Sequence, residues 1–239
     1  MQRYAIYFAP LPDTPLWRFG SAVVGYDAAT GMDADFPAEL RGTWPDWPDI
    51  TSEPRRYGFH ATLKAPFELA ANATTAMLFD SADALAETQE PVSLACLRIA
   101  EIGCFISLVP ATPSTALQAL AGTAVTTLDH LRAPMSDADR VRRLQSPLSE
   151  RQRGHLERYG YPHVLDDFRF HMTLTGPIND PARRSDIAAA LTDLHARRVP
   201  EGDVCLDALT IYGQPARDQR FRIIRRVPLA GRPPPSAPR

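Results

Sequence analysis

Lysine is nearly missing from this chain: of 26 basic residues, only Lys64 is not an arginine. Such a bias reads as genomic, which leaves the single lysine a mild pointer rather than a signature. Cysteine is scarce too. Cys96, Cys104 and Cys205 are odd in number and show no C-x-x-C spacing, which argues against a disulfide framework and a cysteine zinc site. They read instead as small buried hydrophobes. Long apolar runs are also lacking. The opening MQRYAIYFAPLPD meets prolines too soon for a secretion signal, and no stretch approaches a membrane span, so a cytoplasmic protein without a membrane partner is expected. Excess charge of either sign is absent as well. A net charge of −2 argues against wrapping an extended polynucleotide, which rests on many cationic contacts, whereas a small anion needs only a few.

What is present is ordinary for a soluble globular protein, with 44% hydrophobic and 23% charged residues. A chain of 239 residues is long enough for a substantial core, as one domain of two lobes or as two small domains.

One short phrase occurs twice. Residues 57–67 read YGFHATLKAPF, and residues 168–178, 111 positions later, read FRFHMTLTGPI. Five identities in eleven positions would be weak alone; the phase carries more weight. In a strand, side chains at i and i+2 share a face. Phe59, Ala61, Leu63 and Ala65 then form an apolar face, against Gly58, His60, Thr62 and Lys64. The second phrase sets Phe170, Met172, Leu174 and Gly176 against Arg169, His171, Thr173 and Thr175. One face belongs to a core, and the other places a histidine, a hydroxyl and a cation along one line, about 7 Å apart from i to i+2. Pro66 and Pro177 end each pairing.

The surrounding pattern repeats with them. Tyr4 to Ala9 reads as a strand, and Asp13-Thr14-Pro15 as a helix start. Residues 25–52 read mostly as loop. After the first phrase come a helix at Thr74 to Glu87 and two strands, Val92 to Ala100 and Gly103 to Val109. The second half opens with a helix at Ser114 to Leu131. After the second phrase come a helix at Arg183 to Arg198 and strands at Val204 to Tyr212 and Arg220 to Val227. The order His strand, helix, hairpin thus occurs in both halves. The expected fold is α+β and bilobal, a pseudo-twofold duplication in which each lobe is a mainly antiparallel sheet with helices outside, the two sheets facing a central cleft. One such domain is expected over 1–229, with repeats of about 1–110 and 111–229 and strands open to exchange between lobes. Residues 230–239 read as a disordered tail.

Between Ala133 and Tyr161 lies a segment with no counterpart in the first half. Six arginines and three acids fall between Asp139 and Arg158, with Ser149 and Gln152 spaced as a capping box and Gly160 past the helix end. A solvated helix face is the favoured reading of this run, and a mobile cover that meets a second phosphate is the competing one.

Two such lobes facing one another would set His60 and His171 on opposite sides of whatever fills the cleft. In-line displacement at phosphorus needs a base on the attacking oxygen and an acid on the leaving oxygen, and imidazole serves as either near neutral pH. Thr62 and Thr173 would donate to non-bridging oxygens, while Lys64 and Arg169 would add positive charge. Gly58, at the position of Arg169, would leave room for substrate on one side while Arg169 clamps it on the other. Tyr7 and Arg56 join Lys64 and Arg169 as candidate substrate contacts. His155, His163 and His171 are spaced by eight, which no single helix or strand turns into one ligand face, so no metal site is expected. His130 and His195 read as structural.

FHATL at 59–63 and FHMTL at 170–174 resemble the paired His-x-Thr motifs of the two-histidine phosphoesterase superfamily. The flanking RYAIYFAP and RQRGHLERYGYPHVLDDFRFHMTLTGPI resemble more narrowly its branch associated with phosphonate-utilisation operons. The resemblance implies a bilobal α+β fold and cofactor-free, metal-independent action on a cyclic phosphodiester at His60, Thr62, His171 and Thr173. It also implies a ribose cyclic phosphate as a candidate substrate. RNA 2′,5′-ligation or RNA end processing is the competing enzymatic reading, and a non-catalytic binder of a phosphorylated metabolite the competing reading of another class. Which histidine is the base, and the oligomeric state, stay open at this level.

Overall fold

The computed structural model describes residues 2–230; the tail expected from 230 onward therefore lies, but for Ala230, outside the described residues. The first half runs β1 (Arg3–Phe8), α1 (Pro15–Val24), a small hairpin of β2 (Tyr26–Asp27) and β3 (Met32–Asp33), then short helices α2 (Ala38–Thr43), α3 (Trp47–Ile50) and α4 (Ser52–Arg55). It continues with β4 (Ala61–Phe67), α5 (Thr75–Glu87), β5 (Val92–Leu94), β6 (Leu97–Ile102) and β7 (Phe105–Pro110). The second half runs α6 (Thr115–Thr127), α7 (Asp137–Leu144), α8 (Glu150–Tyr159), β8 (Met172–Thr173), α9 (Pro181–Arg198), β9 (Val204–Leu206), β10 (Ala208–Gln214) and β11 (Arg222–Pro228).

Helix ends follow side-chain chemistry. Thr14, Thr74, Ser114 and Asp180 each accept from a backbone N–H of the first turn of α1, α5, α6 and α9. Ser149 and Gln152 form the expected capping box on α8, and Gly160 closes it in the left-handed conformation.

Seven strands form one antiparallel sheet in the order β11-β10-β1-β4-β8-β7-β6. Its centre is narrow. The two His-bearing stretches meet there through a single paired position, Ala61 opposite Met172. The two sheets expected of a bilobal molecule are thus joined at the waist rather than separate. Beyond the waist the hairpins are exchanged: β6–β7 of the first half lies beside β8 of the second, while β10–β11 of the second half lies beside β1 of the first, which in turn pairs with β4. The helices follow, α5 packing on β10 and β11 and α9 on β6 and β7. The long strands expected at 92–100 and 204–212 each break in two. Their first pieces, β5 and β9, pair with one another across the halves.

The core face of both phrases holds as expected. Phe59, Ala61 and Leu63, with Phe170, Met172 and Leu174, are all buried, each large side chain contributing roughly 1.5–3 kcal/mol. Gly20 in α1 makes this possible on the first side, because a Cβ there would overlap the Phe59 ring. The cysteines do not behave as expected. Cys96 and Cys205 are exposed and Cys104 is half-buried, because Cys205 takes the outward position of the short pair β5–β9 and Cys96 sits in the break before β6.

Candidate active site

Each histidine stands one residue before its strand and is fixed the same way. His60 Nδ1 lies 2.8 Å from the carbonyl of Gly58, and His171 Nδ1 lies 2.8 Å from the carbonyl of Arg169. A carbonyl can only accept, so Nδ1 carries the proton in both rings, and Nε2 is left as the nitrogen able to accept one. Both rings line one cleft of about 610 Å³, together with Tyr7, Thr62 and Thr173. Thr62 Oγ1 lies 3.3 Å from His60 Nε2.

The two imidazoles are not equivalent. Tyr7 stacks on His60 with ring centroids 3.7 Å apart, and Tyr57 and Tyr212 flank it at 6.2 and 6.0 Å. Phe105 stands 5.8 Å from His171. Burial among the aromatic rings pushes His60 down to about 4, against the hydrogen bond from its Nδ1–H to Gly58; the charge of His171 pushes it further down. Burial also pushes His171 below its ordinary value. One ring is therefore held neutral more firmly than the other.

Gly58 has φ of +79°, and a Cβ there would come within 2.7 Å of the Ala28 side chain. The residue opposite Arg169 in the repeat is thus glycine because the backbone turns left-handed and packs on the β2–β3 hairpin. It does not open space for substrate, as the sequence suggested.

The expected cations separate. Arg56 lines the cleft, its Nη2 donating to the Arg217 carbonyl at 3.0 Å. Arg169 is exposed and is not part of the cleft wall. Lys64 is buried and faces away, its Nζ donating to the Val125 carbonyl at 3.1 Å and to Asp129 Oδ1 at 3.0 Å. The cause is a pair of irregularities in the β1–β4 register: Tyr7 opposes Thr62, but Ile6 opposes Lys64 and Tyr4 opposes Phe67. Each adds one residue to β4 and shifts the alternation. Ala65 and Pro66 reach the cleft instead of Lys64.

The cations that do reach the cleft besides Arg56 are Arg3 from β1 and Arg142 and Arg143 from α7. Of the other arginines of the basic run, Arg140 pairs with Glu157 at 2.7 Å and Arg151 with Asp167 at 2.8 Å. Sequence reasoning missed Arg3 and could not sort the run, since no periodicity separates Arg142 and Arg143 from their neighbours. Tyr161 and Phe105 also went unnoticed. Among the described residues no group of three or more His, Cys, Asp or Glu side chains is placed to hold a metal ion.

An antiparallel α+β fold with one His-x-Thr stretch from each half lining a shared cleft is the arrangement that resemblance to the two-histidine phosphoesterases implied. The chain belongs to the family described as "Protein of unknown function (DUF1045)", whose model matches residues 62–222. It is also similar to two curated proteins named ribose 1,5-bisphosphate phosphokinase PhnN. The one from Janthinobacterium sp. (strain Marseille) is 33% identical over 236 residues, covering 97% of this chain and 51% of that protein. The one from Laribacter hongkongensis (strain HLHK9) is 31% identical over 226 residues, covering 94% and 51%. The chain therefore spans about half the length of the curated relatives it matches. Similar solved structures include E. coli LigT complexed with 3′-AMP, at 15% identity, 96% of this chain, 98% of that chain and a TM-score of 0.46. A second, described as a phosphoesterase, has 17% identity, covers 96% and 99%, and has a TM-score of 0.38.

Proposed function

We propose that the chain is a phosphodiesterase that opens a cyclic phosphodiester on a ribose phosphate by paired-imidazole acid–base catalysis. One observation carries the reading: two histidines with the same Nδ1-to-carbonyl anchor, and hence the same unprotonated Nε2, share a single cleft. In this reading His60, the ring held neutral more strongly, takes a proton from water as its oxygen bonds to phosphorus. The bond from phosphorus to one sugar oxygen breaks, and His171 delivers its proton to that oxygen. One water is consumed, the diester becomes a monoester, and the two rings exchange protonation states, which solvent resets. Thr62 and Thr173 donate to the non-bridging oxygens, and arginine charge offsets what gathers there. The two imidazoles supply the acid and the base between them, so turnover is expected to persist in a chelator.

The relatives' name helps choose the substrate. They are named for phosphorylating ribose 1,5-bisphosphate and are about twice as long as the matched region. This chain contains no G-x-x-x-x-G-K-[S/T] loop to cradle a nucleotide, and its single lysine is buried against Asp129. We therefore assign it a companion step and not the kinase step. Hydrolysis of ribose 5-phosphate 1,2-cyclic phosphate with loss of the bond to O2 leaves phosphate on O1, which is ribose 1,5-bisphosphate. The test is turnover, with EDTA present, of that compound beside 2′,3′-cyclic and 3′,5′-cyclic nucleotides and an RNA ending in a 2′,3′-cyclic phosphate. The ribose compound is expected to show kcat/KM at least about 10²-fold above the others, within the ordinary reach of site complementarity. A preference for RNA with steep salt dependence would favour end processing instead, and binding without product from any of them would overturn the catalytic reading.

A further inference from the structure

The arginine end of the cleft is built to hold an anion that the histidines do not need. Arg143 lies on α7 with its guanidinium over the Tyr161 ring, 4.9 Å from the centroid, and no protein group accepts from its buried Nε–H. A guanidinium stacked on one face keeps its N–H edges free for planar, bidentate recognition. A buried donor left without an acceptor is costly, which favours a ligand that supplies one. Carboxylates near this end are already committed. Asp139 is shared by Arg217 at 2.7 Å and Arg142 at 2.8 Å, and Glu68 also accepts from Arg217, at 3.0 Å. That same pairing ties the start of α7 to the β10–β11 turn and so sets where Arg143 stands. The one carboxylate on the cleft wall, Glu53, is exposed.

Arg3 approaches from β1. It stands four residues before Tyr7, the ring that supports His60, and both line the cleft. At strand rise this places their backbones about 13 Å apart. Arg3 Nε is held by Gln214 at 2.7 Å, a neutral partner, and its guanidinium lies over the Phe221 ring, 5.4 Å from the centroid. A cleft of about 610 Å³ has room for much more than one phosphate.

We propose that Arg143, with Arg3 and Arg56, forms a phosphomonoester subsite, so that the substrate carries a second phosphate besides the one between the histidines. This rests on the ribose phosphate reading of the cleft and assigns the residues that hold the 5-phosphate. The test is binding, not turnover. Calorimetric titration of the wild-type chain with ribose 5-phosphate, ribose and inorganic phosphate is expected to give clear binding of the first, none of the second and weaker binding of the third. His60→Ala should bind ribose 5-phosphate within about twofold of wild type. Arg143→Ala should bind it about tenfold or more weakly, with Arg143→Lys recovering only part, since an ammonium lacks the planar fork. Arg56→Ala should weaken it in the same direction. Binding by Arg143→Ala and Arg56→Ala equal to wild type, or no heat from the wild type up to about 10 mM ligand, overturns the subsite. Loss of turnover alone, with ribose 5-phosphate still bound through Arg143, would count against the catalytic reading and leave the subsite supported.

Discussion

Tyr7 lies nearly flat on His60, ring centroids 3.7 Å apart and planes 20° from parallel, so the imidazole cannot turn toward β1 without displacing a buried tyrosine. The stack is part of the burial that pushes His60 down. Tyr7→Phe keeps the ring and should leave kcat within about threefold of wild type. Tyr7→Leu removes the platform and should lower kcat about tenfold, with a loss of stability near 2 kcal/mol from imperfect refilling. Steady-state kinetics beside thermal melts separates the two effects.

Removing either imidazole removes one proton transfer. His60→Ala and His171→Ala are each expected to lower kcat about 10²-fold or more while KM changes little. The double variant should fall only slightly below either single one, because the rings act as a unit. Full activity in either single variant would end the two-histidine mechanism.

The pH profile follows from two downward shifts. With His60 pushed down to about 4 and His171 pushed below 6.5, the free protein holds one proton on the pair only between those limits. The maximum of kcat/KM is therefore expected between about pH 4 and 6.5, on the acid side of an unperturbed histidine pair. Bound phosphate favours the charged acid, so the kcat profile should extend to higher pH. A kcat/KM maximum above pH 7.5 would contradict the assignment.

Stability carries the same signature. The unfolded chain takes up a proton at His60 near 6.5, whereas the folded one waits until about 4, so this contribution is fully present above 6.5 and lost as pH falls through 4. The whole term is up to roughly 3 kcal/mol. Denaturant melts at pH 6.5 and 4 should show a smaller difference for His60→Gln than for wild type.

Lys64 offers a separate check. Burial pushes its ammonium below the ordinary lysine range, and Asp129 counters this from 3.0 Å. Asp129 also accepts from Arg132, at 2.8 Å. Lys64→Met breaks a buried pair and should cost about 3 kcal/mol in denaturant unfolding. Kinetics on the folded fraction should stay within about threefold of wild type. A large rise in KM without loss of stability would return Lys64 to the substrate.

Much of the site was legible because its signals are local. The period of two in FHATL and FHMTL put both histidines and both threonines on one face, and the core residues on the other, before any partner was known. The caps at Thr14, Ser149 and Gly160 were readable for the same reason. Arg169 and Lys64 misled because strand alternation was extended past the point where it holds. Arg169 precedes β8, and Lys64 follows a register shift that exists only because β1 lies alongside.

The sequence alone determined the duplicated unit of His strand, helix and hairpin and the residue types that pair in the candidate site, since alternation and capping act within a few residues. Tertiary structure decided which hairpin joins which His strand, which of 25 arginines meet the cleft, and why a glycine stands at 58. Those outcomes depend on packing between residues far apart in the chain, where the free energy of a contact belongs to both partners and neither segment specifies it by itself.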